Sequence, residues 1–215
     1  MIKDILLNQD LDMDEILQDA KPHGIIEIGA WIGNSWQLYD KYGVKNRCWI
    51  EANPITYHRL RANVPAEDVT INVAICDQDG EFPFILTNND GQSSSLLPFK
   101  LHSEVYPTVL ITDRITVKGR KMDTLIEEGM IDMSRYNFLF MDLQGTEYYA
   151  LKGFEKNINK IDYIIAEINY KELYEDCMLV DDFDKYLFDL GFDKIMATKH
   201  ESVHWGDAYY KRIKK

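Results

Sequence analysis

Cationic residues are in short supply in this chain: 24 Lys and Arg stand against 36 Asp and Glu, a net charge of −12 over 215 residues. That deficit excludes a surface built to neutralise a phosphate backbone, so no nucleic-acid partner is expected. Cysteine is scarce as well. Cys48, Cys76 and Cys177 are odd in number and form no Cys-x-x-Cys pair, which argues against a disulfide framework and for reduced thiols in a cytoplasmic setting. No window approaches the roughly 18 consecutive apolar residues of a membrane span, so no membrane partner is expected either. Internal repeats, low-complexity blocks and Pro-rich linkers are all missing, and the length suits one α/β domain. The expectation is a helical lead-in over 1–22 and a Rossmann-like core over 23–215. Also missing is the Gly-x-Gly-x-x-Gly turn with which dinucleotide folds hold a pyrophosphate.

What the chain has in place of that turn is Gly24-Ile25-Ile26-Glu27-Ile28-Gly29-Ala30-Trp31-Ile32-Gly33-Asn34-Ser35. A short apolar run closes on an acid and a glycine, and helical sequence follows. Gly29 permits a tight turn and a close backbone approach to a ligand, and Gly33 lets the next helix start near the strand. Ala30 replaces the middle glycine, and Glu27 stands where a phosphate would be repelled. An acid there suits a cation such as the amino group of S-adenosylmethionine. A second run, Arg47-Cys48-Trp49-Ile50, closes on Glu51, which follows Gly29 by 22 residues. A carboxylate at that distance, ending the second strand of a βαβ unit, can take both ribose hydroxyls. Nicotinamide cofactors share that contact; Glu27 and Ala30 choose the methyl donor.

Strand-like runs at 24–29, 46–51, 69–75, 136–142, 161–168, 192–198 and 207–212 alternate with helical patterns at 36–42, 55–63, 147–157 and 179–190. That order predicts a mostly parallel seven-stranded sheet covered by helices on both faces. The segment 80–122 breaks the alternation and reads as an inserted hairpin or flap.

Together Ile26-Glu27-Ile28-Gly29-Ala30, Glu51-Ala52-Asn53-Pro54, Asn72-Val73-Ala74-Ile75, Ser93-Ser94-Ser95-Leu96, Met122-Asp123-Thr124-Leu125, Met141-Asp142-Leu143-Gln144-Gly145-Thr146-Glu147, Leu151-Lys152-Gly153 and Ile165-Ala166-Glu167 resemble the FkbM family of S-adenosylmethionine-dependent methyltransferases, from about residue 24 onward. The resemblance implies a class I methyltransferase fold with the last strand antiparallel. It also implies methyl transfer to a hydroxyl of a sugar, glycan or related small metabolite. It places Glu27, Gly29, Ala30, Trp31 and Gly33 around the methionine part of the donor, Glu51 and Ala52 at the ribose, and Ala74 and Ile75, with Val73, at the adenine. Family members more often carry Glu at the position of Gln144.

Transfer to a sugar hydroxyl requires that its proton leave, so a base or a metal is needed. Asp142, at the end of the fourth strand, is the first candidate for catalysis. It can act directly, or with Glu167 and Asn169 as oxygen ligands to Mg²⁺; it can also bind the donor's amino group or cap the helix beginning near Thr146. His102, in the insertion, and His200, between the last two strands, are the candidate histidines. Trp31, Tyr106, Tyr170 and Trp205 can supply an aromatic wall, and Gln92 with Ser93, Ser94 and Ser95 polar groups. Two other readings stand beside an O-methyltransferase: a non-catalytic or regulatory S-adenosylmethionine-binding domain, and a nicotinamide-dependent oxidoreductase. The sequence leaves the oligomeric state open.

Overall fold

The computed structural model describes residues 4–7, 10–199 and 204–213. An eight-stranded sheet runs through it. In chain order its strands are β1 (Asp4–Leu7), β2 (Gly24–Ile28), β3 (Asn46–Ile50), β4 (Val69–Ile71), and then, beyond an insertion, β8 (Phe138–Met141), β9 (Tyr163–Asn169), β10 (Phe192–Lys199) and β11 (Trp205–Arg212). In space the order is β1-β10-β11-β9-β8-β2-β3-β4. Pairing is parallel throughout except at β11, which runs against both β9 and β10. The helices are α1 (Met13–Ala20), α2 (Trp36–Lys41), α3 (Pro54–Asn63), α4 (His102–Val105), α5 (Met122–Glu127), α6 (Glu147–Lys152) and α7 (Val180–Asp189).

The seven expected strands thus form the sheet with the last one antiparallel, and an eighth is added at the edge. Asp4–Leu7, inside the segment read as a helical lead-in, pairs in parallel with β10, Asp4 opposite Met196. The lead-in is helical only from Met13, where Asp12 caps α1 by accepting from the Glu15 amide at 3.0 Å.

The third expected strand, 69–75, is interrupted. Val69–Ile71 stays beside β3, but β5 (Ala74–Ile75) leaves for a second sheet. Asn72 explains the break: its Nδ2 donates to the carbonyls of Glu51 and Ala52, at 2.7 and 3.2 Å, so the chain turns across the end of β3 instead of continuing along it. The flap expected at 80–122 is the rest of that second sheet. β6 (Gly80–Thr87) and β7 (Ile111–Arg120) pair antiparallel, and β5 lies parallel to β7 on the other side.

Strand β2 is buried at every position, as a central parallel strand covered on both faces must be. Alternate residues feed two cores. Ile26 and Ile28 join Ile50, Leu139, Leu151 and Ile164 on one face; Ile25 packs with Ile16, Leu17, Tyr39 and Trp49 on the other, where Tyr39 stacks on Trp49 at 5.7 Å. The carboxyl ends of β2, β3, β8 and β9 emerge together, and the second sheet leans over them.

Candidate active site

Above those strand ends lies a cavity of about 450 Å³. The first turn is shaped by three left-handed residues, Gly29 at φ +77°, Trp31 at +46° and Gly33 at +71°. Such a backbone costs on the order of 1–3 kcal/mol at a bulky residue and persists only where neighbours hold it. Glu51 and Asp90 do so at Trp31: the Trp31 amide donates to Glu51 Oε2 at 3.0 Å, and its indole Nε1 to the Asp90 carbonyl at 3.0 Å. Glu51 Oε1 accepts the Asn53 amide at 2.7 Å. The carboxylate at the end of β3 therefore braces the turn after β2 and lines the cavity as well. Gly33 makes room for α3, because a Cβ there would lie 2.5 Å from Val64 and 2.7 Å from Leu60.

Of the expected donor contacts, Gly29, Trp31, Glu51, Ala52, Ala74, Ile75 and Asp142 line the cavity, with Val73 among them. Glu27, Ala30 and Gly33 lie behind its wall. Glu27 is on the same face of β2 as Ile25, so it points into the packing beneath α2, where its Oε2 accepts from Ser35 Oγ at 2.7 Å and Tyr39 Oη at 2.5 Å. Through Oε2 it anchors α2 to β2.

At the ends of β8 and β9 Asp142 and Glu167, grouped in the sequence reading, come together around Gln144, whose bridging part no pattern in the sequence announced. Gln144, itself left-handed at φ +54°, donates through Nε2 to Asp142 Oδ1 at 2.8 Å and Glu167 Oε2 at 2.9 Å, while its Oε1 accepts from Tyr174 Oη. Ser95 Oγ reaches from the flap to the Gln144 carbonyl at 2.9 Å. Asp142 is exposed to the hollow of the cavity, and the partial desolvation of its carboxyl by the surrounding wall raises its pKa. Burial first, and then the neighbouring Asp142, Glu147 and Asp207, push Glu167 far above the usual carboxylate range. Glu147, raised chiefly by burial, opens α6 and takes the Leu143 amide at 2.7 Å.

A magnesium ion on Asp142, Glu167 and Asn169 does not fit this arrangement. Between the two carboxylates stands the hydrogen-bearing nitrogen of Gln144, where a cation would have to be. Asn169 is buried away from the cavity with its Oδ1 unpartnered. Among the described residues no three His, Cys, Asp or Glu side chains converge on a metal position.

His102 does line the cavity. It is buried, stacked on Phe99 at 4.0 Å and flanked by Tyr106 and Tyr174, and that setting lowers its pKa to about 4. His200 lies outside the described residues. Tyr106, Trp205, Gln92, Ser93 and Ser94 are on the wall, Trp205 Nε1 donating to Tyr106 Oη at 2.8 Å; Tyr170 is not. Tyr174 and Leu173, which the sequence reading missed, follow β9 in a stretch without periodicity.

Burial lifts both Glu27 and Glu51 from a usual 4.5 to about 7. The folded state then holds protons that the unfolded chain releases above pH 4.5, so the contribution is whole below that pH and is lost as pH rises towards 7. The ligand-free protein is expected to melt higher at about pH 5.5 than at about pH 8, and Glu27→Gln and Glu51→Gln should each flatten the slope. A melting temperature that rises with pH over this range would contradict the assignment.

A sheet in this order with its last strand reversed, and a cavity above the carboxyl ends of its central strands, defines the class I methyltransferase fold. The chain belongs to the FkbM methyltransferase family: the model of the methyltransferase FkbM domain matches residues 27–194. It is 28% identical over 160 residues to the 2-O-methyltransferase NoeI of Sinorhizobium fredii. That match covers 70% of this chain and 65% of the relative, less than two thirds of its length. Magnesium protoporphyrin IX methyltransferase from Synechocystis, crystallised with S-adenosylmethionine, aligns over 93% of this chain and 76% of its own at TM-score 0.52 and 10% identity. A structure from Staphylococcus aureus described as a putative caffeoyl-CoA O-methyltransferase aligns over 94% and 81% at TM-score 0.51 and 12% identity. At such identities the likeness is one of fold.

Proposed function

We propose that this chain is an S-adenosylmethionine-dependent O-methyltransferase acting on a hydroxyl of a sugar, glycan or related small metabolite. The observation that carries the reading is the pairing of two carboxylates across one cavity: Glu51, fixed by two backbone amides beside the glycine turn, and Asp142, facing the hollow at the end of β8. Family membership and the NoeI relative favour methyl transfer to oxygen.

The residues fit the donor. The glycine turn and Trp31 border one end, Glu51 offers acceptors to a ribose, and Val73, Ala74 and Ile75 make an apolar wall for a base. The donor supplies an electrophilic methyl group, whose departure leaves a neutral thioether. The chain's own part is to orient the hydroxyl and take its proton. Asp142 accepts that proton on a carboxylate oxygen, and its raised pKa makes it a stronger base than an aspartate of ordinary pKa. Gln144 holds Asp142 in place and ties it to Glu167.

Calorimetric titration with S-adenosylmethionine, S-adenosylhomocysteine and NAD tests the reading. Micromolar binding of the two adenosyl ligands and not of NAD is expected, with no dependence on Mg²⁺ or chelator. Binding of NAD alone, or of none, would sink it. Donor binding without methyl transfer to any hydroxyl acceptor would favour a regulatory domain. Glu51→Ala is expected to weaken S-adenosylhomocysteine by roughly 1–3 kcal/mol through lost ribose hydrogen bonds, and unchanged affinity would remove Glu51 from the ribose.

A further inference from the structure

Among the described residues the side-chain hydrogen bond to Asp142 comes from Gln144, whose Nε2 places one hydrogen on Asp142 Oδ1 at 2.8 Å and the other on Glu167 Oε2 at 2.9 Å. A glutamine amide can also turn over, and the reversed form would set Oε1, which only accepts, against the same two carboxyl oxygens. A donor at Oε1 is what tells the two orientations apart. Tyr174 supplies it through Oη. Burial first, and then the charges of Glu167, Asp142 and Glu147, push the Tyr174 hydroxyl well above its usual pKa of 10, so it keeps its proton and stays a donor.

The ring of Tyr174 is placed by contacts that do not involve its hydroxyl. The Glu175 amide donates to the Pro98 carbonyl at 2.8 Å, and the Leu173 carbonyl accepts the Lys100 and His102 amides at 2.8 and 3.1 Å, which fastens the stretch after β9 to the one that enters α4. The ring meets Phe99 edge-on at 5.7 Å and His102 at 5.4 Å. It also leans on Gly145, where a Cβ would lie 3.0 Å from it. Phenylalanine would fill the same space. What the hydroxyl adds is its bond to the Gln144 amide, while Ser95 Oγ, on the Gln144 carbonyl at 2.9 Å, secures the backbone beneath.

Building on the O-methyltransferase reading, in which Asp142 takes the proton of the acceptor hydroxyl, we propose that Tyr174 is a positioning residue: its hydroxyl fixes the Gln144 amide so that a hydrogen, and not the carbonyl oxygen, faces the Asp142 carboxylate. With Nε2 towards it the ionised form of Asp142 is stabilised. With Oε1 towards it the protonated form is, because a carboxyl O–H can donate where a carboxylate cannot. Loss of the Tyr174 hydroxyl therefore moves Asp142 towards the form that cannot act as a base. A neutral Glu167 accepts the second amide hydrogen through its carbonyl oxygen as an ionised one does, so the arrangement does not depend on its charge. The other titratable groups that interact electrostatically with Asp142 are Glu27 from β2, Glu51 from β3, Glu147 from α6, Glu167 from β9 and Asp207 from β11. These, and His102 beside the ring, are all retained in Tyr174→Phe.

The test follows the Asp142 carboxyl carbon by NMR through a pH titration of the full chain carrying isotopically labelled aspartate, alone and saturated with S-adenosylhomocysteine, with Asp142→Asn identifying the signal. Tyr174→Phe should raise the Asp142 pKa by roughly one unit, the equivalent of one hydrogen bond lost from the charged form. In a Gln144→Ala background the same substitution should move it little, since the amide through which the hydroxyl acts is gone. An unmoved titration in Tyr174→Phe would overturn the proposal, and so would an equal shift with and without Gln144. Methyl transfer from labelled S-adenosylmethionine to methyl glycosides of hexoses gives a second reading: kcat should fall roughly tenfold on the acid limb, the deficit narrowing as pH is raised, with the acceptor KM little changed. A raised KM with kcat and limb unaltered would make the hydroxyl an acceptor contact and overturn the positioning role. Absence of S-adenosylhomocysteine binding in the wild type would overturn the parent reading instead, and the titration of the ligand-free chain would still decide whether Tyr174 governs Asp142.

Discussion

Asp142→Asn is expected to leave the fold and the affinity for S-adenosylhomocysteine intact while lowering turnover by roughly 10²–10⁴-fold, the usual loss when a positioned general base is removed. The substitution keeps shape and one acceptor. Asparagine Oδ1 can still take the Gln144 amide that Asp142 Oδ1 takes at 2.8 Å, so Glu167 and Tyr174 keep their common partner. What disappears is the capacity to bind a proton. If Asp142 instead served to hold the donor's amino group, the same variant would lose donor affinity while single-turnover methyl transfer at saturating donor fell little. The two measurements therefore separate the roles. The pH profile gives a third, because Asp142 must be ionised to act. Its pKa is raised by partial desolvation, so turnover should fall as pH drops through that raised value, and this limb should vanish in the variant.

The alternation of strands and helices, the glycine turn and Glu51 were legible because each is a local signal. An apolar run closing on an acid and glycine reads the same in any sheet of this kind, whereas Ala74 and Ile75 were placed by the family resemblance and line the cavity from the second sheet. Local signals failed where a side chain's role is set by distant partners. Gln144 is a bridge only because Glu167, 23 residues on, and Tyr174, 30 residues on, converge upon it. Read by itself it is a polar residue after a strand. The magnesium reading failed for the same reason: Asp142 and Glu167 do come together, but around an amide that already satisfies both. Glu27 was misdirected because β2 is buried on both faces, so period-two alternation could not tell the side under α2 from the side under the ligand. The break at Asn72 was invisible in a largely apolar run, since only the Glu51 and Ala52 carbonyls explain where that side chain goes.

Gly29→Ala is expected to be the most damaging single-methyl change in the chain, lowering stability by on the order of 3–5 kcal/mol from left-handed strain and overpacking together. Gly29 is at φ +77°, and a Cβ there would lie 1.8 Å from the Asp142 carbonyl oxygen and 2.9 Å from its carbon. Both are backbone atoms at the end of β8, which cannot swing aside as a side chain can. Relief requires β2 and β8 to part where the Asp142 amide donates to the Ile28 carbonyl at 3.1 Å, and that movement displaces the carboxylate assigned to proton removal. Gly43 isolates the strain: its φ is +74° but a Cβ would have nothing within 4 Å. Gly43→Ala should therefore cost only about 1–2 kcal/mol, the penalty of the left-handed conformation alone. The difference between the two variants in chemical denaturation measures the contact between strands. If Gly29→Ala loses no more than Gly43→Ala, the close approach of β2 to β8 is not what holds this glycine. If it loses more while retaining full turnover, the Asp142 carboxylate does not depend on the placement of its own backbone.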